Sequence, residues 1–79
     1  MEKIIEKITQ LRTRKGYTYE NMADELELTT AAYRKIETGE TKLSVERLFR
    51  ISNILETSIS EFLEFDQNHF VQNNYSSEN

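Results

Sequence analysis

A chain of 79 residues is read as one domain, with a core small enough that dimerisation would support it. The absence of cysteine excludes a disulfide framework and a thiolate metal site, and zero proline with only two glycines suits an all-helical protein. A net charge of −4 counts against binding a polyphosphate, since phosphate contacts need Lys and Arg.

The distribution of charge softens that objection. All ten Lys and Arg lie in residues 1–50 beside nine of the fourteen acids, for a local balance of +1. Residues 51–79 carry the other five acids and no Lys or Arg. Such a split can present a basic surface on one side and an acidic one on the other. No run approaches the roughly 20 apolar residues of a membrane span. The opening MEKIIEKITQ alternates charge with isoleucine, unlike the apolar core of a signal peptide, so a cytoplasmic location is expected.

Residues 2–15 read as the first helix, with Ile4, Ile5, Ile8 and Leu11 as one apolar stripe. Arg12, Arg14 and Lys15 crowd its last turn, where positive charge complements the helix dipole, and Gly16 supplies a left-handed stop.

The stretch from Thr18 to Gly39 reads as two short helices joined by a tight turn. In the first, Thr18 is the N-cap and Met22, Ala23 and Leu26 fall at helical spacing. In the second, Thr29 is the N-cap, Tyr33 and Ile36 point one way, and Gly39 ends the helix. Tyr17 with Met22 and Leu28 with Tyr33 form hydrophobic staples across the two starts. So short a link forces a sharp crossing, with Ala23 small at the point of closest approach. Thr30, Ala31, Arg34 and Lys35 are left facing out, a short, polar and basic set of the kind a helix entering the DNA major groove needs. Glu20, Asp24, Glu25 and Glu27 make the preceding helix acidic, so only its start, at Thr18 and Tyr19, is expected to approach phosphate.

Beyond a connector from Glu40 to Leu43, Ser44 caps a fourth helix with Leu43 and Leu48 as a third staple. Its expected inner face is Val45, Leu48, Ile51 and Leu55, while Phe49 and Ile54 fall off that stripe and either pack elsewhere or meet a partner subunit. Ser58 with Glu61 is a capping box for a short fifth helix carrying Ile59, Phe62 and Leu63 inward. The domain is expected to occupy residues 1–65. Residues 66–79 are polar and Asn-rich, without periodicity, and are expected to form a flexible tail.

The spacing from Leu11-Arg12 through Lys15-Gly16, Thr18, Ala23, Leu26, Leu28-Thr29, Tyr33, Ile36-Glu37 and Gly39 to Ser44-Val45, Leu48, Ile51 and Leu55 resembles the lambda-repressor-like (Xre-type) helix-turn-helix family over roughly residues 4–65. The resemblance implies an all-α, five-helix domain that binds operator DNA as a symmetric dimer, with the third helix reading the duplex. It places Thr30, Ala31 and Lys35 at base-reading positions and Arg34 where bases or phosphates are reached. Tyr19, Thr29, Thr41 and Lys42 match phosphate-contacting positions, and Arg12 and Glu37 match an internal salt bridge. This sequence departs from the pattern at Tyr19, where Gln is usual, at Glu27, where Gly is frequent, at Glu40, where a basic residue is common, and at Leu43, where proline is. Glu40 would repel phosphate.

Catalytic chemistry is not expected. His69 is the only histidine, and no second His or Cys completes a metal-ligand set. No Gly-rich phosphate loop is present, and neither a cofactor nor a small-molecule ligand is anticipated. Two functions compete: a sequence-specific transcriptional regulator binding a palindromic operator as a homodimer, and a protein-interaction module on the same fold, antitoxin-like or regulator-binding. The second draws on the acidic second half, on Phe49, and on Phe65, Phe70 and Val71.

Overall fold

The computed structural model describes residues 2–63, and the expected tail lies outside them. Four helices run in order: α1 (Glu2–Lys15), α2 (Tyr19–Leu26), α3 (Thr30–Glu37) and α4 (Val45–Ile54). A fifth helical segment, α5, occupies residues 59–63. Helix α2 packs on both α3 and α4, and α1 packs on α3.

Side-chain caps start the three inner helices. Thr18 Oγ1 accepts the Asn21 amide at 3.0 Å and Asn21 Oδ1 accepts the Thr18 amide at 2.9 Å, a reciprocal box with asparagine in the place of the usual Glu or Gln. Thr29 Oγ1 takes the Ala32 amide at 3.0 Å, and Ser44 Oγ the Arg47 amide at 3.1 Å. Each cap satisfies a donor that the first turn would otherwise leave unpaired.

All four helices end the same way. A left-handed residue follows the last turn, and the next amide reaches back five residues: Tyr17 to the Arg12 carbonyl, Leu28 to Ala23, Glu40 to Lys35 and Thr57 to Ser52, at 2.8–3.0 Å. The left-handed positions are Gly16, Glu27, Gly39 and Glu56, with φ of 79°, 60°, 83° and 56°. The chain's two glycines therefore both serve as helix stops, while two glutamates bear the strain of that conformation. Glu27→Gly is expected to raise stability by about 1 kcal/mol, because glycine relieves roughly that much strain net of its own chain entropy. A urea midpoint unchanged or lowered would show that Glu27 sits in this conformation without cost.

The core gathers one stripe from each element. Ile4 and Ile8 come from α1, Met22, Ala23 and Leu26 from α2, Tyr33 and Ile36 from α3, and Leu48, Ile51 and Leu55 from α4 and its C-cap, with Phe62 from α5. Three expectations are corrected. Val45 is 65% exposed rather than inward, because it sits in the first turn of α4, outside the arc of Leu48, Ile51 and Ser52; Leu43, from the connector, is buried instead. Leu63 is 46% exposed, turned about 100° along the helix from the fully buried Phe62. Ser58 makes no side-chain cap: the Glu61 amide bonds to its carbonyl at 3.1 Å, and its hydroxyl pairs with that of Ser60 at 3.0 Å. Of the two residues off the α4 stripe, Ile54 packs against the core and Phe49 stands 50% exposed.

Candidate nucleic-acid interface

Helix α3 is held by its inner side. Tyr33 and Ile36 are buried, while Thr30, Ala31, Arg34 and Lys35 are all exposed. Thr29, at the cap, is exposed as well. Its hydroxyl accepts the Ala32 amide, which leaves its own proton to be donated outward. Thr41 and Lys42 are exposed in the connector, where the Thr41 amide bonds to the Lys35 carbonyl at 3.1 Å and so folds that stretch against the end of α3. Glu40 is exposed beside them, its carboxylate accepting from the Thr38 hydroxyl at 3.2 Å.

One carboxylate fixes how α3 meets α1. Glu37, whose side chain is 2% exposed, pairs with the Arg12 guanidinium through Nε at 2.7 Å, with Nη2 at 3.2 Å from the other oxygen. Thr9 Oγ1 donates to it at 2.9 Å, and the Tyr33 hydroxyl donates as well. The remaining Arg12 donor, Nη1, bonds to the Tyr17 carbonyl at 2.8 Å, so the same guanidinium also ties down the turn between α1 and α2. Hydrogen bonding to Glu37 raises the Arg12 pKa against the opposing effect of burial. Burial first, and the bond to Glu37 second, push the Tyr33 phenol well above its ordinary range, so it remains a donor. Sequence reasoning missed Thr9, Tyr33 and the Tyr17 carbonyl in this network. The available signal was Tyr33 itself, since a buried phenol needs a partner for its hydroxyl and Glu37 lies one helical turn on.

Tyr19 is half-buried at the start of α2, packed against the core. The Arg12 guanidinium carbon lies 4.6 Å from its ring centroid and that of Arg34 lies 6.0 Å away. The Tyr33 ring is tilted against it at 5.9 Å. The two cap bonds leave the Tyr19 and Glu20 amides of the first turn without an intrahelical acceptor.

Glu20, Asp24, Glu25 and Glu27 are exposed on and just after α2, and a shallow groove lined by Tyr17, Asn21, Asp24, Glu25 and Ile54 carries two of them. Lys15, at the end of α1, approaches Glu56 at 3.6 Å, a surface contact of small energetic weight. Among the described residues no group of His, Cys, Asp and Glu is arranged to hold a metal, and no helix is long and apolar enough to cross a membrane.

A family profile, HTH_3, described as helix-turn-helix, matches residues 8–62. The chain is 36% identical over 66 residues to the uncharacterised HTH-type transcriptional regulator YqaE of Bacillus subtilis (strain 168), covering 84% of this chain and 57% of that protein. It is 40% identical over 58 residues to the SPbeta prophage-derived uncharacterised HTH-type transcriptional regulator YonR of the same organism, covering 73% and 53%. It is 37% identical over 59 residues to the cryptic phage CTXphi transcriptional repressor RstR of Vibrio cholerae (serotype O1, El Tor Inaba N16961), covering 75% and 53%. The chain thus spans a little over half the length of these relatives. No solved structure matches it at a significant level.

Proposed function

This chain belongs to the lambda-repressor-like (Xre-type) helix-turn-helix family, and on that footing we propose that it is a sequence-specific DNA-binding transcriptional regulator. In this reading it binds a palindromic operator as a homodimer, with α3 of each subunit in the major groove. The observation that carries it is the outward row of Thr30, Ala31, Arg34 and Lys35, exposed on a helix whose opposite side is locked into the core. Thr30 offers a hydroxyl to a base edge, Ala31 a methyl to thymine, and Lys35 an ammonium to guanine O6 and N7. Thr29, Thr41 and Lys42 supply phosphate contacts around that row, Tyr19 does so through its unpaired main-chain amide, and Arg34 reaches a base or a phosphate. Two copies would place their α3 helices about 34–36 Å apart, one turn of the duplex. A cytoplasmic location goes with this role.

The net charge of −4 shapes the expected behaviour. Non-specific affinity is weak, so discrimination rests on the few contacts of α3 rather than on a broad basic surface. The test is selection of bound sites from a random duplex library, followed by shift assays at low and moderate salt. Lys35→Ala is expected to relax the preference at one position of each half-site, at a cost of about 1–3 kcal/mol for the selected sequence. Failure to enrich any site, with wild type and Lys35→Ala behaving alike, would sink the reading. A bound protein in place of DNA would then favour an interaction module.

A further inference from the structure

The start of α2 holds an aromatic ring where a plain hydrogen-bonding side chain would serve for phosphate contact alone. Tyr19 is half-buried, fixed on one side by the core and by the Tyr33 ring at 5.9 Å. Two guanidinium groups share it, Arg12 at 4.6 Å and Arg34 at 6.0 Å. They are not equivalent. The charge of Arg12 is matched by Glu37 at 2.7 Å. Arg34 is exposed, and among the described residues it has no carboxylate within ion-pair distance. Arg12 thus presents the ring with one half of a neutral pair. The attraction of the ring's π face for a cation remains available to Arg34.

We propose that Tyr19 is a positioning residue for Arg34: its ring holds the guanidinium in place before DNA arrives, and so sets how much Arg34 contributes to binding. This rests on the regulator reading above. An exposed arginine must surrender much of its rotamer freedom on binding, and a side chain already resting on a fixed ring surrenders less. The chain of contacts runs from Glu37 on α3, through Arg12 on α1 and Tyr19 on α2, back to Arg34 on α3, so the brace behind the ring is the network that orients α3 itself. The group that Arg34 meets is an acceptor pair on the duplex, either phosphate oxygens or the O6 and N7 edge of guanine; both accept the planar fork of a guanidinium.

The test is a double-mutant cycle in binding to the selected operator, using the full chain with Tyr19→Leu, Arg34→Ala and the two combined. Leucine keeps apolar packing and removes the π face. Tyr19→Leu is expected to weaken binding about two- to fivefold in the wild-type background, the scale of an exposed cation–π contact, and to change nothing once Arg34 is alanine. Tyr19→Phe keeps the ring and is expected to stay within about twofold of wild type. A role in folding alone would give the same loss in both backgrounds, and thermal melting of each variant reads that role separately. Independent losses from Tyr19→Leu and Arg34→Ala would overturn the proposal, as would Tyr19→Phe losing as much as Tyr19→Leu, since the hydroxyl would then be the working group. Two supporting outcomes identify the acceptor. A loss equal on operator and scrambled duplex, with the salt slope reduced by about one, marks phosphate. A loss confined to sites bearing guanine at one position marks the base edge. Wild-type protein that binds no duplex would sink the regulator reading and this proposal together, whereas wild-type binding with independent losses sinks this proposal alone.

Discussion

Glu37→Ala is expected to destabilise the fold by about 3 kcal/mol, because it strands a buried charge and two hydroxyl donors at once. Arg12 would lose both bonds to the carboxylate while its own side chain is only 14% exposed, and Thr9 and Tyr33 would lose their acceptor. The guanidinium keeps its bond to the Tyr17 carbonyl and can turn partly toward water, which holds the cost at the lower end of what breaking a buried pair usually entails. A domain of this size has about 4–12 kcal/mol of stability, so the loss is a large share of it. The measurement is a urea unfolding midpoint followed by circular dichroism, and a change under about 0.5 kcal/mol would show the pair to be a surface ornament. Replacing both members, Arg12→Met with Glu37→Met, is expected to recover much of the loss, because no unpaired charge remains. Since Glu37 and Arg12 lie on α3 and α1, the single variant also frees α3 to shift against the rest of the domain.

Phe62→Ala is expected to cost about 3–5 kcal/mol, the range for truncating a fully buried aromatic. Phe62 is 0% exposed and is the only residue of 59–63 wholly enclosed by the core, with Ile59 packed beside it. Truncation opens a cavity in the core and removes the only wholly buried side chain of this segment. Phe62→Leu, which restores most of the volume, is expected to cost less than about 1.5 kcal/mol. Partial proteolysis near Thr57 should rise sharply in the alanine variant. If the cost is below about 1 kcal/mol and proteolysis is unchanged, residues 59–63 lie outside the cooperative unit.

What was legible in the sequence is local. Thr18, Thr29 and Ser44 cap their helices because a hydroxyl reaches an amide three residues on, which needs no knowledge of the rest of the chain. Gly16 and Gly39 stop helices for a similarly local reason, while Glu27 was marked only by the family resemblance, which has glycine frequent at the position where Glu27 turns left-handed. The span of α1 and the buried stripes of α2 and α3 follow from a 3.6-residue period.

Tertiary structure decided whatever depends on a distant neighbour. Val45 has the chemistry and nearly the phase of a core residue, and Leu63 the chemistry alone, yet both stand exposed, because periodicity does not show how far the core reaches. The pairing of Arg12 with Glu37 rested on a family resemblance, whereas the convergence of Thr9 and Arg12 on the carboxylate that Tyr33 reaches from one helical turn away comes from packing across 28 and 25 positions of chain. Tyr19 shows the limit best. Its sequence position marks it as the first residue of a helix, but only the crossing of α1, α2 and α3 brings two guanidinium groups to its ring. Caps and stops are set within a few residues by backbone hydrogen bonds, while shared side-chain sites exist only where separate helices meet.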